Sequence, residues 1–344
     1  MDRFFADRIV SWFRENGRLL PWREGKDPYR IWISEIMLQQ TRIEAVIPYY
    51  HRFLERLPSP AALADCPDDE LMKLWEGLGY YSRARNLKKA ALAVMEKFNG
   101  TMPRTAAELK SLPGIGEYTA GAISSIAFGE AEPAVDGNVL RVVTRYLGDK
   151  SDIALEATKK KITSLLKEIY PAGTKAGMLT EGIMEVGERI CIPNGVPLCE
   201  ACPLKEKCVA KKENLTDVLP IKSPKKERKV IDMTVFILCH NGKYAFRQRP
   251  STGLLAKMWE FYHVDGKKTK IEALDALKAM GFSPVDIRPC GSAKHIFTHL
   301  EWRMTGFLVT VENENGAEIW KSAEEIQNFI ALPTAFRHFK NKLQ

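Results

Sequence analysis

A change in the hydrophobic pattern near residue 216 is the feature that most restricts how this chain can fold. Before that point, apolar residues recur at three- and four-residue steps, the period of amphipathic helices. These helical stretches are 31–57, 84–98, 105–128, 138–147 and 155–169. After it, residues 231–239 form a β-branched, apolar run followed by the hairpin signal Asn241-Gly242. The pattern predicts an all-helical N-terminal part and an α+β C-terminal part.

The segment between the two parts, 216–229, is polar and basic, holds two prolines and has no period, which is typical of an exposed linker. The length of 344 residues also fits two domains, because domains hold roughly 100–200 residues. We therefore expect a helical domain over 1–215, a linker over 216–229 and an α+β domain over 230–344. In the last domain the sequence predicts further strands at 243–248 and 304–312 and helices at 270–280 and 322–330.

Composition and charge narrow the class of protein. No stretch approaches the roughly 18 consecutive apolar residues of a membrane span, and the N-terminus lacks a secretory signal. We therefore expect a soluble, cytoplasmic and nucleoid-associated protein. The 51 basic and 43 acidic residues give a net charge of +8, which favours a polyanionic partner without identifying it.

Four of the seven cysteines, Cys191, Cys199, Cys202 and Cys208, lie within 18 residues. A disulfide framework would be unusual in a chain of this length without a secretory signal, so the group indicates a metal site. Four thiolates suit either zinc or an iron–sulfur cluster, and the spacing alone does not decide between them.

Four residues outside the cysteine group suggest chemistry. Gly114 and Gly116 precede a helix, so nearby backbone N–H groups could hold a phosphate; the alternative is a pair of capping glycines between two helices. Glu35 lies among apolar residues, whose burial would raise its pKa and suit a general acid; the alternative is a surface carboxylate. Asp136 could simply cap the helix at 138–147, and a helix N-terminus would also keep its carboxylate ionised.

Residues 112–120, with Asp136 placed 18 residues after Tyr118, resemble the helix-hairpin-helix signature of the endonuclease III superfamily of DNA-repair glycosylases. Residues 19–23, 34–41 and 77–87 closely resemble motifs of MutY-type adenine DNA glycosylases, and the resemblance covers essentially the whole chain. It implies an all-α helix-hairpin-helix glycosylase domain with an iron–sulfur cluster loop at 191–208. It also implies an α+β, Nudix-like C-terminal domain, so the fold is expected to be multidomain.

The resemblance also implies an activity: excision of adenine mispaired with 8-oxoguanine or guanine in double-stranded DNA. Glu35 would be the general acid and Asp136 would stabilise the cationic sugar, while Tyr118 and Asn138 orient the reacting groups. Bifunctional relatives carry a lysine where this chain has Tyr118, and a Schiff base with the sugar needs that amine. We therefore expect a monofunctional glycosylase that leaves the DNA backbone intact.

Further roles follow from the same resemblance. It places Trp22, Arg23 and Glu181 in the adenine pocket, Gln40 and Tyr80 as intercalating residues, Gly114 and Gly116 against a phosphate, and Phe297, Thr298 and His299 at the 8-oxoguanine. Alternatives remain for Gln40 as a buried amide, Glu181 as a helix-face acid, Phe297 as a core residue and His299 as a surface imidazole.

The family resemblance favours a [4Fe–4S] cluster on the four cysteines. Their spacing departs from the family pattern at one place. Their spacing is C-x7-C-x2-C-x5-C, against the family's usual C-x6-C-x2-C-x5-C. The cluster would tie a loop whose lysines reach DNA phosphates, namely Lys205, Lys207, Lys211 and Lys212.

Residues 271–277 lack the acidic pattern of a working Nudix helix, so we expect lesion recognition without pyrophosphatase activity. The chain is expected to act as a monomer, with no membrane partner. Two other functions stay open: a glycosylase for another mismatch such as T·G, and a lesion sensor without catalysis.

Overall fold

The computed structural model describes residues 1–224, 227–314 and 316–343. Two compact units divide the chain: Met1–Asp65 with Asn86–Pro224 form the first, and Cys66–Arg85 join the described part of 225–344 in the second. Residues 66–85 thus group with the C-terminal unit, although the sequence pattern assigns them to the domain 1–215. The expected linker 216–229 includes Lys225 and Lys226, which lie outside the described residues, and the boundaries 1–215 and 230–344 stay predictions.

The chain up to residue 212 is helical, as its hydrophobic period predicts. Its helices are α1 Arg3–Asn16, α2 Pro28–Leu38, α3 Ile43–Arg56, α4 Pro60–Asp65, α5 Asp68–Leu74, α6 Ser82–Phe98, α7 Ala106–Lys110, α8 Glu117–Phe128, α9 Gly137–Leu147, α10 Glu156–Lys167, α11 Thr174–Arg189 and α12 Val209–Lys212. Short 3-10 helices cover Pro21–Arg23 and Cys199–Ala201.

The single helix suggested by the period over 31–57 is instead two helices, α2 and α3. Residues 39–42 separate them, and Gln40 has a φ of 58°, a left-handed conformation that a right-handed helix cannot contain. The hydrophobic pattern does not reveal this break because the apolar stripe continues on both sides of it. As a result, Gln40 lies on a turn rather than on a helix face.

The first unit holds its core between α1, α9, α10 and α11, where Phe5, Ile9, Val143, Ile162 and Ile183 are buried together. Helix α8 packs against both α2 and α11, and α11 packs against α9. These contacts bring the helix that carries Glu35 close to those that carry Tyr118 and Glu181.

The second unit contains a mixed sheet with helices on both faces. Its strands are β1 Lys229–His240, β2 Lys243–Gln248, β3 Trp259–Glu260, β4 Tyr262–Asp265, β5 Pro284–Ile296, β6 Leu300–Val311 and β7 Ile319–Ser322, and its helices from residue 227 onward are α13 Lys270–Ala279, α14 Ala323–Phe329 and α15 Arg337–Lys340. The strand order is β3-β2-β1-β6-β5, with β4 paired to β1 and β7 to β2. Strands β1 and β6 are parallel, and the other pairs are antiparallel.

The hairpin predicted at Asn241-Gly242 is confirmed, because both residues have positive φ, at 47° and 74°, and His240 pairs with Lys243. Strand β1 is buried on both faces, as its unbroken apolar run suggests. Strand β5 escapes the sequence pattern because it lies at the sheet edge, contains Pro289 and has irregular register.

Across the described part of the chain, no helix combines the length and apolar character that crossing a membrane requires.

Candidate active site

Glu35 is buried in the first unit. It lies on α2, whose N-terminus is capped by the Asp27 carboxylate and whose middle is buried on nearly every side. The Tyr118 hydroxyl donates to Glu35 Oε2 at 2.8 Å. With Glu35 only 6% exposed, burial raises its pKa to about 7; the Tyr118 hydrogen bond opposes this rise, and the charges of Glu181 and Asp136 add to it. The surface alternative for Glu35 is therefore wrong.

Asp136 caps helix α9. Its Oδ1 accepts from the Val139 backbone N–H at 2.8 Å, and its Oδ2 accepts from the Asn138 side-chain amide at 3.1 Å. Burial raises the pKa of Asp136, while these hydrogen bonds and the charge of Arg141 lower it. The net direction is upward, so burial outweighs the helix N-terminus from which the sequence predicts an ionised carboxylate.

A pocket of about 380 Å³ collects most of the residues expected around the adenine. A volume of this size suits a small organic group such as a nucleobase. The pocket brings together Trp22, Arg23, Glu35, Gln40, Tyr118, Asp136, Asn138 and Glu181. It also contains Arg18, Met184, Glu185 and Glu188, which sequence reasoning missed.

A charged network forms one wall of the pocket. Arg23 donates to Glu181 Oε1 at 2.6 Å and to Glu185 Oε1 at 2.7 Å, and Arg18 donates to Glu185 Oε2 at 2.9 Å. Burial alone would raise the pKa of Glu185, but the two arginines lower it. Burial instead dominates at Glu181 and raises its pKa. One signal could have found Glu185, since it lies one helical turn after Glu181.

Apolar and backbone features complete this pocket. Trp22 is buried, and its ring meets that of Tyr50 edge-on with centroids 5.4 Å apart. Gln40 lines the pocket from the turn between α2 and α3 rather than from an apolar helix stripe.

The two glycines of the hairpin between α7 and α8 differ in what surrounds them. Gly114 has a φ of +80°, and a Cβ there would lie 2.6 Å from the Asn86 Cβ, so only glycine fits. Gly116 is the N-cap of α8, and a Cβ there would meet nothing within 4 Å. Gly114 therefore shapes the turn, whereas Gly116 leaves open space beside the helix N-terminus where a phosphate could approach.

The residues expected to read the lesion lie in the second unit. Phe297 is partly buried and packs against the core, with its ring centroid 4.9 Å from that of Trp302, so it is neither a fully buried core residue nor a free surface residue. Thr298 and His299 are exposed at the turn between β5 and β6. The Thr298 Oγ1 lies 3.1 Å from the hydroxyl of Tyr80, and both residues line a cavity of about 680 Å³. The structure thus places Tyr80 beside the predicted lesion loop.

The four clustered cysteines line a single small cavity in the first unit. Arg145 donates to Cys191 Sγ at 3.4 Å, and burial raises the pKa of Cys202 to about 12, so the Cys202 thiolate would form only beside a bound positive group. Within the described ranges, no three or more His, Cys, Asp or Glu side chains are arranged to hold a metal ion. Four thiols around one cavity suit a [4Fe–4S] cluster, which takes each thiolate on a different iron, as well as they suit a tetrahedral zinc ion.

Three of the lysines at this loop are paired with acids. Lys205 and Lys211 pair with Glu200, and Lys207 pairs with Asp2. Exposed pairs of this kind are weak, so they could exchange for DNA phosphates at small cost.

Arg141 connects the Asp136 region to the cysteine loop. Its guanidinium donates to Asn138 Oδ1 at 2.8 Å and to the Cys191 carbonyl at 2.7 Å. Asn138 in turn donates to Asp136, so a continuous chain of hydrogen bonds joins the carboxylate to the backbone of a predicted cluster ligand.

Comparisons with known proteins place the chain in a family. Residues 33–172 match the HhH-GPD superfamily of base excision DNA repair proteins, and residues 233–342 match the NUDIX domain. The adenine DNA glycosylase of Buchnera aphidicola (subsp. Acyrthosiphon pisum, strain APS) is 33% identical over 339 residues, covering 96% of this chain and 94% of that protein. The chain belongs to the adenine DNA glycosylase family.

Another relative and two solved structures support this family assignment. The human adenine DNA glycosylase is 30% identical over 400 residues, covering 97% of this chain and 72% of that protein. A thermostable thymine-DNA glycosylase superposes with a TM-score of 0.55 at 30% identity, over 61% of this chain and 95% of that one. Endonuclease III in a non-covalent complex with DNA superposes with a TM-score of 0.52 at 26% identity, over 62% and 96%.

These matches confirm the multidomain fold expected from the sequence, with a helix-hairpin-helix part and a Nudix-like part. The chain is an adenine DNA glycosylase of base excision repair, a hydrolase of N-glycosyl bonds whose partner is DNA.

Proposed function

We propose that this glycosylase removes adenine paired with 8-oxoguanine, or with guanine, and leaves the DNA backbone intact. The observation that carries the proposal is the buried Glu35 carboxyl, which accepts a hydrogen bond from Tyr118 in the same pocket as Asp136. One carboxyl has its pKa raised to about 7 and the other is fixed by hydrogen bonds at a helix N-terminus. Such a pair suits acid-assisted cleavage of a glycosidic bond.

Glu35 acts first, as the general acid. A base stacked in duplex DNA cannot reach a buried carboxyl, so the adenine must be flipped into the pocket. With a pKa of about 7, Glu35 carries its proton in a large share of molecules near neutral pH. It gives that proton to N7 of adenine, the C1′–N9 bond breaks, and adenine leaves as a neutral base.

Asp136 acts on the sugar that remains. Hydrogen bonds from Val139 and Asn138 hold its carboxylate, which stabilises the cationic C1′ as an ion pair or as a transient covalent adduct. A water molecule then supplies the hydroxyl group to C1′, and its proton returns to Glu35. The products are free adenine and an abasic site.

Monofunctional hydrolysis is supported by the residues around the adenine pocket. A lyase needs an amine to form a Schiff base with the sugar, and Tyr118 occupies the position where bifunctional relatives carry lysine. Among the described residues that line the pocket, none is a lysine.

Recognition is divided between the two units. Trp22, Arg23 and Glu181 line the adenine pocket, where the carboxyl of Glu181 would address the polar edge of the base. Gln40 and Tyr80 would be the intercalating residues, one wedged beside the lesion and the other filling the space that the adenine leaves in the base stack. Thr298 and His299 would contact the 8-oxoguanine, while Phe297 anchors their turn in the core. A pyrophosphatase role is not proposed, since residues 271–277 lack the acidic pattern that a working Nudix helix needs to hold Mg²⁺.

We also propose a [4Fe–4S] cluster on Cys191, Cys199, Cys202 and Cys208, and action as a monomer. When bound, the cluster would supply a covalent tie for the loop 191–208.

A single-turnover excision assay tests the proposal. Duplexes would carry A·8-oxoguanine, A·G, A·T or T·G, and strand breaks would be measured with and without an alkaline step that cleaves abasic sites. We expect breaks only after alkali, fastest for A·8-oxoguanine, and none with Glu35→Gln. Breaks without alkali would contradict monofunctional action. Preferred cleavage of T·G would mean that the chain excises thymine, the activity named for the similar thymine-DNA glycosylase structure. Tight binding without excision would make it a lesion sensor.

A further inference from the structure

A second groove of the first unit has no part in the mechanism above. It has a volume of about 370 Å³ and is lined by α7, the start of α8, residues 132–135 and one face of α10. Its lining includes the lysines Lys110, Lys159, Lys160 and Lys167 and the acids Glu117 and Glu132. The groove is therefore positively charged overall.

Some lysines of this groove form ion pairs with acids and others do not. Lys167 pairs with Glu132 at 3.0 Å, and the neighbouring Lys161 of α10, which does not line the groove, pairs with Asp149 at 2.7 Å. In the part of the chain that the structure describes, Lys110, Lys159 and Lys160 have no carboxylate within ion-pair distance. An amphipathic helix alone explains exposed lysines, but it does not explain why the unpaired ones line a concave surface.

The position of the groove links it to the DNA path. Glu117 and Tyr118 line it, and they form the first turn of α8, directly after the open N-cap Gly116. Tyr118 also lines the adenine pocket, so the pocket and the groove meet at the start of one helix. A strand whose adenine enters the pocket must pass this helix end, which itself attracts phosphate.

We propose that this groove binds the phosphate backbone of the strand that carries the target adenine, with Lys159 and Lys160 contacting the phosphates. Ser164, one helical turn after Lys160, lines the same groove and is exposed, so its hydroxyl can add a neutral donor. The inference rests on the proposed flipping of adenine into the pocket of Glu35. It extends the phosphate contacts from the hairpin glycines onto α10, outside the helix-hairpin-helix motif.

The salt dependence of DNA binding tests this proposal. Each phosphate contact contributes about 0.9 to the slope of log K against log salt concentration. The double variant Lys159→Gln/Lys160→Gln should therefore lower that slope by about 2. The probe is a duplex with 8-oxoguanine opposite 2′-fluoro-2′-deoxyadenosine, an adenosine analogue that resists excision. The matched control is Lys267→Gln/Lys268→Gln, an adjacent lysine pair of the second unit that removes the same charge.

Several outcomes decide the matter. Lys159→Arg/Lys160→Arg, which keeps both positive charges, should restore the slope. If the Lys159→Gln/Lys160→Gln variant keeps the slope unchanged, or loses no more slope than the control variant, the proposal is overturned. The groove would then bind another partner, such as an acidic peptide. Thermal unfolding identifies any variant that fails to fold. If the double Gln variant does not fold, the test is repeated with single substitutions, comparing Gln with Arg at Lys159 and then at Lys160.

The strand assignment is tested separately with neutral methylphosphonates placed one at a time along each strand. On the adenine strand they should lower the slope in the unchanged protein but not in the Lys159→Gln/Lys160→Gln variant. The same result on the opposite strand would overturn the assignment. These measurements need no base excision, so they can fail or succeed independently of the proposed adenine activity.

Discussion

At the scale of single residues, Glu35 should set the pH dependence of excision. Its pKa is raised to about 7, and it must carry a proton to act as the acid. The single-turnover rate should therefore fall as pH rises through about 7. Because the Tyr118 hydrogen bond lowers the pKa of Glu35, Tyr118→Phe should move this decline to higher pH. A decline that stays in place in Tyr118→Phe would contradict the coupling.

The same carboxyl should make the folded state less stable than it could be. The pKa of Glu35 is about 7 in the folded state and 4.5 ordinarily, so the folded state favours the protonated carboxyl. The contribution of Glu35 to the free energy of unfolding is therefore fully present below pH 4.5 and is lost as pH rises through 7. This difference corresponds to about 3 kcal/mol. We expect Glu35→Gln to unfold at a higher temperature than the unchanged protein at pH 8, with little difference at pH 4.5. Equal unfolding temperatures at both pH values would contradict a strongly raised pKa.

The sequence revealed part of this site and not the rest for a physical reason. Glu35 could be chosen because its neighbours along α2 are apolar, and Asp136 because it precedes a helix. The role of Glu185 depends on Arg18 and Arg23, which approach it only when α11 packs near the N-terminus. The upward pKa of Asp136 likewise depends on burial, which local pattern does not measure.

At the scale of elements, the hairpin before α8 predicts opposite results for its two glycines. Gly114→Ala should destabilise the protein by about 1–3 kcal/mol, because its φ is +80° and the new Cβ would meet Asn86. Gly116→Ala should cost less than about 1 kcal/mol, since its φ is −92° and the space around it is open. Urea unfolding checks both values.

Measuring DNA affinity distinguishes a role of Gly116 as a helix cap from a role in phosphate contact. Gly116→Ala should weaken binding to the 2′-fluoro duplex although its fold is nearly unchanged, because the added methyl lies where a phosphate would approach. Affinity equal to that of the unchanged protein would mean that Gly116 is only a helix cap.

Element positions were predictable where one face is buried and the backbone is regular. The expected helix 138–147 and strand 243–248 match α9 and β2 closely. The break at Gln40 was missed because periodicity records which side chains are apolar, not the φ of each residue. Strand β5 was missed because an edge strand lacks a fully buried face.

At the scale of the whole molecule, the largest surprise is that residues 66–85 join the C-terminal unit. Lys73 of α5 donates to the Ile326 and Ile330 carbonyls at 3.3 Å each. Glu76 accepts from the Leu332 backbone at 3.2 Å and from Lys340 at 2.6 Å. These partners lie more than 250 residues away in sequence, so no local pattern could indicate them.

This attachment should affect how the lesion is recognised, because Tyr80 follows Glu76 by four residues and contacts Thr298. Glu76→Gln removes the negative charge that Lys73 and Lys340 share, in a partly buried setting, and should cost about 1–3 kcal/mol. We expect the ratio of excision rates, A·8-oxoguanine over A·G, to fall several-fold while the A·G rate changes little. Asp69→Asn, on the exposed side of α5, is the matched control and should leave both the ratio and the unfolding temperature unchanged. If Glu76→Gln lowers the unfolding temperature but preserves the ratio, the attachment of 66–85 serves stability alone and Tyr80 is positioned by its own turn.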